Sequence, residues 1–198
     1  MSTVNETIAL IKRLIFDPNC ARMNLSNVKG YLGELFVKAK LESEGVEVTH
    51  FGNQSGHDLE LIYKDRVYKI DVKFSTLKCE YSPRQNNWGW ALIHQNKKRE
   101  VTCTHYICVA VDPELEVVGY YVIRREHAEL FFSGVGQFKG VKHSLVLFQN
   151  REFMPTADAK YFELFETSKK LLNTGAAIYV DKDGSLLSTL SKSSNIPS

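Results

Sequence analysis

HDLELIYKDRVYKIDVK, from His57 to Lys73, consists of two short alternating runs joined by the polar break Lys64-Asp65-Arg66. Side chains of a strand alternate between faces, so Asp71 and Lys73, two apart, point the same way while Ile70, Val72 and Phe74 point the other. The break suits a hairpin, which folds Asp58 back towards Asp71. Two carboxylates and an ammonium then meet on one face, with an apolar face behind them. Carboxylates converging from two strands make a hard, oxygen-rich site of the kind that holds Mg²⁺ or Mn²⁺. A lysine beside them can orient or deprotonate water, or offset charge building on a phosphate. Taken alone, Asp-x-Lys on a strand is in most chains a solvated face with a weak surface ion pair.

Asp58, followed thirteen residues on by Asp71-Val72-Lys73 along an apolar strand, resembles the PD-(D/E)XK nuclease superfamily. Upstream, KGYLGELFVKAKLESEG (Lys29 to Gly45) carries Glu34 where many members place an acidic residue on the first core helix. The resemblance runs from about Lys29 to Ile123 in the order helix, strand, hairpin, strands, and departs at His57, which stands where the name-giving proline would be. It implies a restriction-endonuclease-like α/β fold: a central mixed sheet of four or five strands flanked by helices, with an added N-terminal helix and a C-terminal helix and hairpin. It also implies a Mg²⁺-dependent endonuclease acting on DNA, with Mn²⁺ able to substitute. On that reading Asp58, Asp71 and the Val72 carbonyl ligate the metal, Glu34 holds a second metal or a water on it, and Lys73 activates or orients the attacking water. One catalytic core must cut two strands, so a homodimer is the economical arrangement. The resemblance does not choose among restriction, homing, junction resolution, repair and phage defence. Two other readings stand beside it: a nucleic-acid-binding or assembly module with the same fold and no catalysis, and an RNA-directed nuclease.

At 198 residues and 43% hydrophobic content the chain is long enough for one full core and short for two. One domain is expected over 1–198, with a core at about 24–150, an N-terminal helix within 1–20 and a C-terminal extension over 151–198. A net charge of +2 permits nucleic-acid binding without arguing for it. Cys20, Cys79, Cys103 and Cys108 form no paired framework and read as free thiols in a reducing compartment. Cys103, His105 and Cys108 have zinc-ligand chemistry but lack a second cluster, so core packing is the reading for them. No basic-then-apolar leader is present and no apolar run reaches the roughly 18 residues of a membrane span, so a soluble, cytoplasmic protein is expected.

In chain order, Thr3 to Phe16 places Ile8, Ile11, Leu14 and Ile15 at helical spacing. A second helix starts at Ser26 as N-cap and stops at Gly45, with Leu32, Leu35, Phe36 and Ala39 on its main apolar face and Gly30, Gly33, Glu34, Val37 and Leu41 opposite. Two mid-helix glycines cost about 1 kcal/mol each against alanine, which close approach of another backbone or of DNA would offset. Val46 to Phe51 reads as a strand and Gly52 to Gly56 as a loop at the mouth of the site, where Asn53, Gln54 and Ser55 either contact DNA or make the turn. Glu60 shares the Asp58 face as a further acid, and Lys69 shares the Asp71 face as a DNA contact. After Lys73, the basic and aromatic stretch with Lys78, Arg84, Trp88, Lys97, Lys98 and Arg99 is a DNA-contacting loop in which Trp88 stacks or wedges. The alternative is that Trp90 and Leu92 belong to the core and Lys97 to Arg99 to a solvated turn. His105 to Val111 and Val117 to Ile123 are neighbouring strands, and Arg124 and Arg125 open a short helix. A glycine-containing loop at 134–143, a strand over Ser144 to Phe148, a helix over Ala157 to Leu172, a hairpin over Ala177 to Leu187 and a polar tail from Ser191 complete the chain.

Overall fold

The computed structural model describes residues 3–20, 24–77, 87–93, 102–133, 143–148 and 169–194, with main chain alone at 53–55, 87, 93, 130–133 and 143–148. In chain order the elements are α1 (Val4–Phe16), α2 (Ser26–Ser43), β1 (Thr49–Ser55), β2 (His57–Tyr63), β3 (Arg66–Thr76), β4 (Asn87–Ile93), β5 (His105–Val111), β6 (Val117–Arg124), α3 (Arg125–Ser133), β7 (His143–Phe148), β8 (Ala177–Asp181) and α4 (Leu186–Ser193). Six strands form a mixed sheet in the order β1-β2-β3-β5-β6-β8, and β4 pairs with β7 as a separate ribbon. Among the described residues β3 and β5 run parallel and every other pair is antiparallel. The fold is therefore α/β with a central mixed sheet flanked by helices. The sheet has six strands rather than four or five, because β1 and β8 extend its two edges.

The deciding stretch folds as a two-residue hairpin. Lys64 and Asp65 adopt φ of 51° and 59°, the left-handed conformation at both central positions that matches the twist of the flanking strands, and Tyr63 pairs with Arg66. Arg66 thus opens β3 instead of belonging to the turn. Alternation then sorts the side chains: Tyr68, Ile70 and Val72 are buried, while Lys69, Asp71 and Lys73 are partly exposed. β5 is buried at all seven positions, as befits a strand covered on both faces. Ile107, Val109 and Val111 enter one core with Leu32, Phe36, Leu59 and Ile70, whereas Tyr106, Cys108 and Ala110 enter a second with Trp88, Trp90 and Leu92. Asp71 and Lys73 lie on the face of the second core.

α1 begins with a capping box between Thr3 and Glu6 and packs Ile8, Ile11 and Ile15 against the first core. Leu14, read as part of that stripe, is 40% exposed and lies outside it. A salt bridge of 2.6 Å from Lys12 to Glu116 ties the helix to the β5–β6 turn. Ser26 is the first helical residue of α2 rather than its N-cap, because the Asn24 side chain takes the Ser26 N–H at 3.1 Å. Gly45, at φ +90°, ends the helix as expected. Val37 and Leu41, assigned to the reverse face, are fully buried, so the apolar arc is wider than the Leu32-Leu35-Phe36 face suggests. Gly33 has a packing reason: a Cβ there would stand 3.0 Å from Phe74 Cβ, whereas at Gly30 nothing lies within 4 Å.

The segment from Ala177 to Leu187 is a strand, a turn and the start of a helix, not a hairpin. Ser185 caps α4 by accepting the Ser188 N–H, and α4 takes Ser191 to Ser193 out of the polar tail. Glu44, just past the end of α2, accepts the Leu186 and Leu187 N–H groups at 2.9 and 2.8 Å and the Ser185 hydroxyl at 2.9 Å. A carboxylate at a helix N-terminus satisfies donors that have no partner within the helix. Through Glu44, the C-terminal helix is fastened to the helix that carries Glu34.

Candidate active site

The site forms where the β2–β3 ladder stops. The last pair is Leu59 with Ile70, and one step further along the same register would set Asp58 opposite Asp71. There the Asp58 carboxylate replaces the ladder and accepts the Val72 N–H at 2.7 Å. N–H and C=O of one strand residue point to the same side, so the Val72 carbonyl faces the same gap. Asp71 Oδ1 receives Lys73 Nζ at 2.5 Å, both side chains being largely buried. Ser75, two residues further on, accepts the Gly89 N–H at 3.1 Å, so the β4–β7 ribbon covers this face just beyond Lys73.

Electrostatics show which groups converge. The Asp58 carboxyl is pushed up from 3.8 to about 7, first by burial and next by Asp71, with Glu34 adding to the rise. The Val72 N–H and the Lys73 ammonium oppose it. The charges of Asp71 on β3 and Glu34 on α2 thus both act against ionisation of Asp58 on β2, and the Lys73 ammonium acts for it. Glu34 lies on the helix that Gly33 brings against Phe74, the residue after Lys73.

Sequence reading did not find the groups that hold these acids. His50 Nε2 lies 2.5 Å from Glu34 Oε2 and its ring stacks on Tyr31 at 5.4 Å. His57, in the place of the name-giving proline, is buried; its Nδ1 meets the Thr102 hydroxyl at 2.8 Å and its Nε2 lies 3.4 Å from Glu60. Burial, and then Lys69, lower the pKa of that imidazole. Glu60 is thereby engaged at the side of the site. Spacings of sixteen and forty-five residues carry no local signal for either contact.

Other expected contacts fare differently. Asn53, Gln54 and Ser55 are in β1, which continues to Ser55; only Gly56 separates β1 from β2. Their polarity favours a turn, but pairing of Ser55 with His57 across an irregular register overrides it. Lys69 lies on the Asp71 face, opposite Glu60. Trp88 is not a stacking or wedging side chain at the surface: it is 5% exposed, and its indole N–H donates to the Val111 carbonyl at 2.8 Å. Trp90 does likewise with Val109, so both indoles serve the second core. Lys78, Arg84, Lys97, Lys98 and Arg99 lie outside the described residues. Cys103 and Cys108 are core residues, and burial raises both thiols, that of Cys103 to about 12.

Among the described residues no three His, Cys, Asp or Glu side chains stand close enough together to form a ready-made metal cage. The donor set nonetheless fits a hard divalent cation. Asp58 and Asp71 supply oxygens across the ladder end, Val72 turns its carbonyl to the same gap, and the buried negative charge that lifts Asp58 is what a cation would relieve. Glu34 is near enough to contribute through its charge.

No family model and no curated protein matches this chain. Among solved structures it is similar to a bacterial homing endonuclease, with a TM-score of 0.43 and 17% sequence identity over 73% of this chain and 95% of that one. Among the described residues no helix is long and apolar enough to cross a membrane.

Proposed function

We propose that the chain is a metal-dependent endonuclease of the PD-(D/E)XK type that hydrolyses phosphodiester bonds in DNA. The observation that carries the reading is Asp58 crossing the end of the β2–β3 ladder to accept the Val72 N–H at 2.7 Å, one residue from Asp71, whose carboxylate lies 2.5 Å from the Lys73 ammonium. Asp58, Asp71 and the Val72 carbonyl would hold Mg²⁺, or Mn²⁺ in its place. The cation supplies Lewis-acid charge at the scissile phosphate and makes water more acidic. Asp58 would serve there as the ionised carboxylate, the form that burial, Asp71 and Glu34 otherwise oppose. Asp71 fixes the Lys73 ammonium on the face where the phosphate arrives, and there Lys73 orients the attacking water and offsets charge on the phosphate. His50 sets the rotamer of Glu34, which would order a further cation or water. Duplex cleavage by one such centre per chain favours a two-fold dimer.

The test is incubation of the purified protein with supercoiled plasmid and with a synthetic four-way junction, in Mg²⁺ and in chelator. Asp71→Ala and Lys73→Ala are assayed in parallel. Cation-dependent cutting that either substitution abolishes, with circular dichroism unchanged, is the expected outcome. Wild-type cleavage by either variant removes the assignment. Cutting of RNA in preference to both DNAs would redirect it to an RNA-directed nuclease.

A further inference from the structure

The β2–β3 hairpin outruns both of its neighbours in the sheet. On one side the register with β1 reaches Glu60, paired with Thr49; on the other the ladder with β5 begins at Ile70, preceded by a bond of 2.7 Å from the Thr104 N–H to the Lys69 carbonyl. Among the described residues, the main chain from Leu61 to Tyr68 therefore pairs only with itself: Leu61 with Tyr68, Ile62 with Val67 and Tyr63 with Arg66, closed by the Lys64-Asp65 turn. This outer half of the hairpin is a two-stranded ribbon with two unlike faces. Leu61 and Tyr68 are buried in the first core and hold the ribbon from beneath. On the opposite face Ile62 and Val67 stand directly across from each other, 68% and 49% exposed. Aliphatic side chains laid open on an unflanked ribbon invite association, which a fold without use for them would suppress.

Position, charge and shape together say what covers that face. Val67, Lys69, Asp71 and Lys73 alternate onto one side of β3, so the aliphatic pair, the Glu60–Lys69 pair and the reaction centre form one row on one face. At about 3.4 Å per strand residue, Val67 stands about 14 Å from Asp71 along that row. Lys69 makes no ion pair among the described residues, and Glu60 opposite it lies beside His57 at 3.4 Å. At the turn, exposed Lys64 rests over the Tyr63 ring at 5.1 Å, next to the turn's acid, Asp65. Two ammonium groups thus flank the aliphatic pair, an arrangement suited to an anionic ligand with apolar surface between its charges. The strands of such a ribbon lie about 4.8 Å apart, and the major groove of duplex DNA, about 12 Å wide, admits it. A second copy of the chain is the poorer occupant, because Ile62 and Val67 expose a small part of the roughly 800 Å² that each partner of a stable dimer buries.

We propose that the outer half of the β2–β3 hairpin is a duplex-DNA contact ribbon, which enters the major groove with Ile62 and Val67 against base edges while Lys64 and Lys69 meet the backbone. The proposal rests on the nuclease reading for the class of ligand, but the ribbon needs no cation. Its function is to set which bases lie beside the bond presented to Lys73.

The experiment measures binding of a fluorescein-labelled DNA duplex by anisotropy, in chelator, over a range of salt. It compares wild-type protein with Ile62→Thr/Val67→Thr and with Lys64→Gln/Lys69→Gln. Threonine keeps the β-branch that suits a strand, and Ile62→Thr alone keeps the test valid if the double variant fails to fold. The threonine variant should lose affinity on the order of tenfold with the slope of log K against log salt unchanged, because apolar contacts release no counterions. In the glutamine variant the slope should shrink by about one per lysine removed. Wild-type affinity in the threonine variant, an unchanged slope in the glutamine variant, or no duplex binding by the wild type at low salt would each overturn the proposal. A wild-type dimer that the threonine substitutions dissociate in sedimentation without DNA would overturn it in favour of a second copy. Duplex binding that depends on the ribbon, with no cleavage in Mg²⁺, would uphold the ribbon and remove the nuclease reading; cleavage in Mg²⁺ with binding indifferent to both variants would do the reverse.

Discussion

Asp58→Asn removes one charge from a place where burial, Asp71 and Glu34 all oppose it, and it keeps an oxygen for the Val72 N–H. The carboxyl stands at about 7 in the fold against 3.8 in an open chain. Between those values the native protein holds a proton that the unfolded chain has released. Stability therefore falls as pH rises, by about 1.4 kcal/mol per pH unit, and stops falling above about pH 7. By that reasoning the ionised group costs the cation-free fold about 4 kcal/mol at alkaline pH, a ceiling that relaxation of the site will lower. Asparagine has no such dependence. The variant should match wild type near pH 4, exceed it by about 1 kcal/mol near pH 5, and exceed it by about 2 to 4 kcal/mol near pH 8. Urea unfolding in chelator, followed by circular dichroism across that range, measures the gap. Saturating Mg²⁺ should then close it by stabilising wild type alone, since ligand that binds only the native state adds to its stability. A gap that does not grow with pH, or a variant less stable than wild type near pH 8, would refute the claim that charge is held at Asp58 against its environment.

The two glycines of α2 should respond oppositely to alanine: Gly30→Ala, with open space around it, should gain about 0.5 to 1 kcal/mol, while Gly33→Ala drives a methyl to 3.0 Å from Phe74 and should lose about 1 kcal/mol net. Thermal melts of the pair check this, and equal shifts would contradict it. Glu44→Ala leaves the first N–H groups of α4 unmet and should cost about 2 kcal/mol, with Glu44→Gln intermediate; native-state hydrogen exchange at Leu186 and Leu187 should rise in step. His105 is buried between the Thr104 and Ser193 hydroxyls, and burial lowers its pKa to about 4. The open chain takes up a proton that the fold refuses, so stability should fall as pH drops from about 6.5 to about 4, by about 3 kcal/mol in all. An imidazole titration by NMR with a midpoint near 6.5 would contradict that.

What could be read directly from the chain was whatever depends on neighbours in sequence. The alternation from Val67 to Lys73 placed Asp71 and Lys73 on one face, and the structure pairs them. The break at Lys64-Asp65 made the hairpin, and the hairpin brought Asp58 across. The parts that misled have a common cause, in that tertiary pairing outweighed local chemistry. Asn53 to Ser55 have turn composition yet extend β1, because His57 offers a partner to Ser55. Trp88 follows a basic stretch and looks like a nucleic-acid contact, but a carbonyl on β5 accepts its N–H and a core encloses its ring. His50 and Tyr31, which hold Glu34, are joined to it by the packing of α2 on the sheet, and no periodicity announces that.

The ladder end explains why the site stands where it does. Had β2 and β3 stayed paired one step past Leu59 and Ile70, backbone would have met the Val72 N–H, and Asp58 would be one more side chain on the sheet face. Because the strands part, the Val72 N–H needs an acceptor, and an unmet buried donor costs on the order of 1 to 3 kcal/mol. Asp58 supplies it, and so is drawn into a gap where two further carboxylates already bear on it. The hydrogen bond that completes the fold is also the one that concentrates negative charge, and a cation relieves the second effect without breaking the first. The fold and the proposed chemistry thus share one residue, which is why Asp58→Asn should improve the former and abolish the latter.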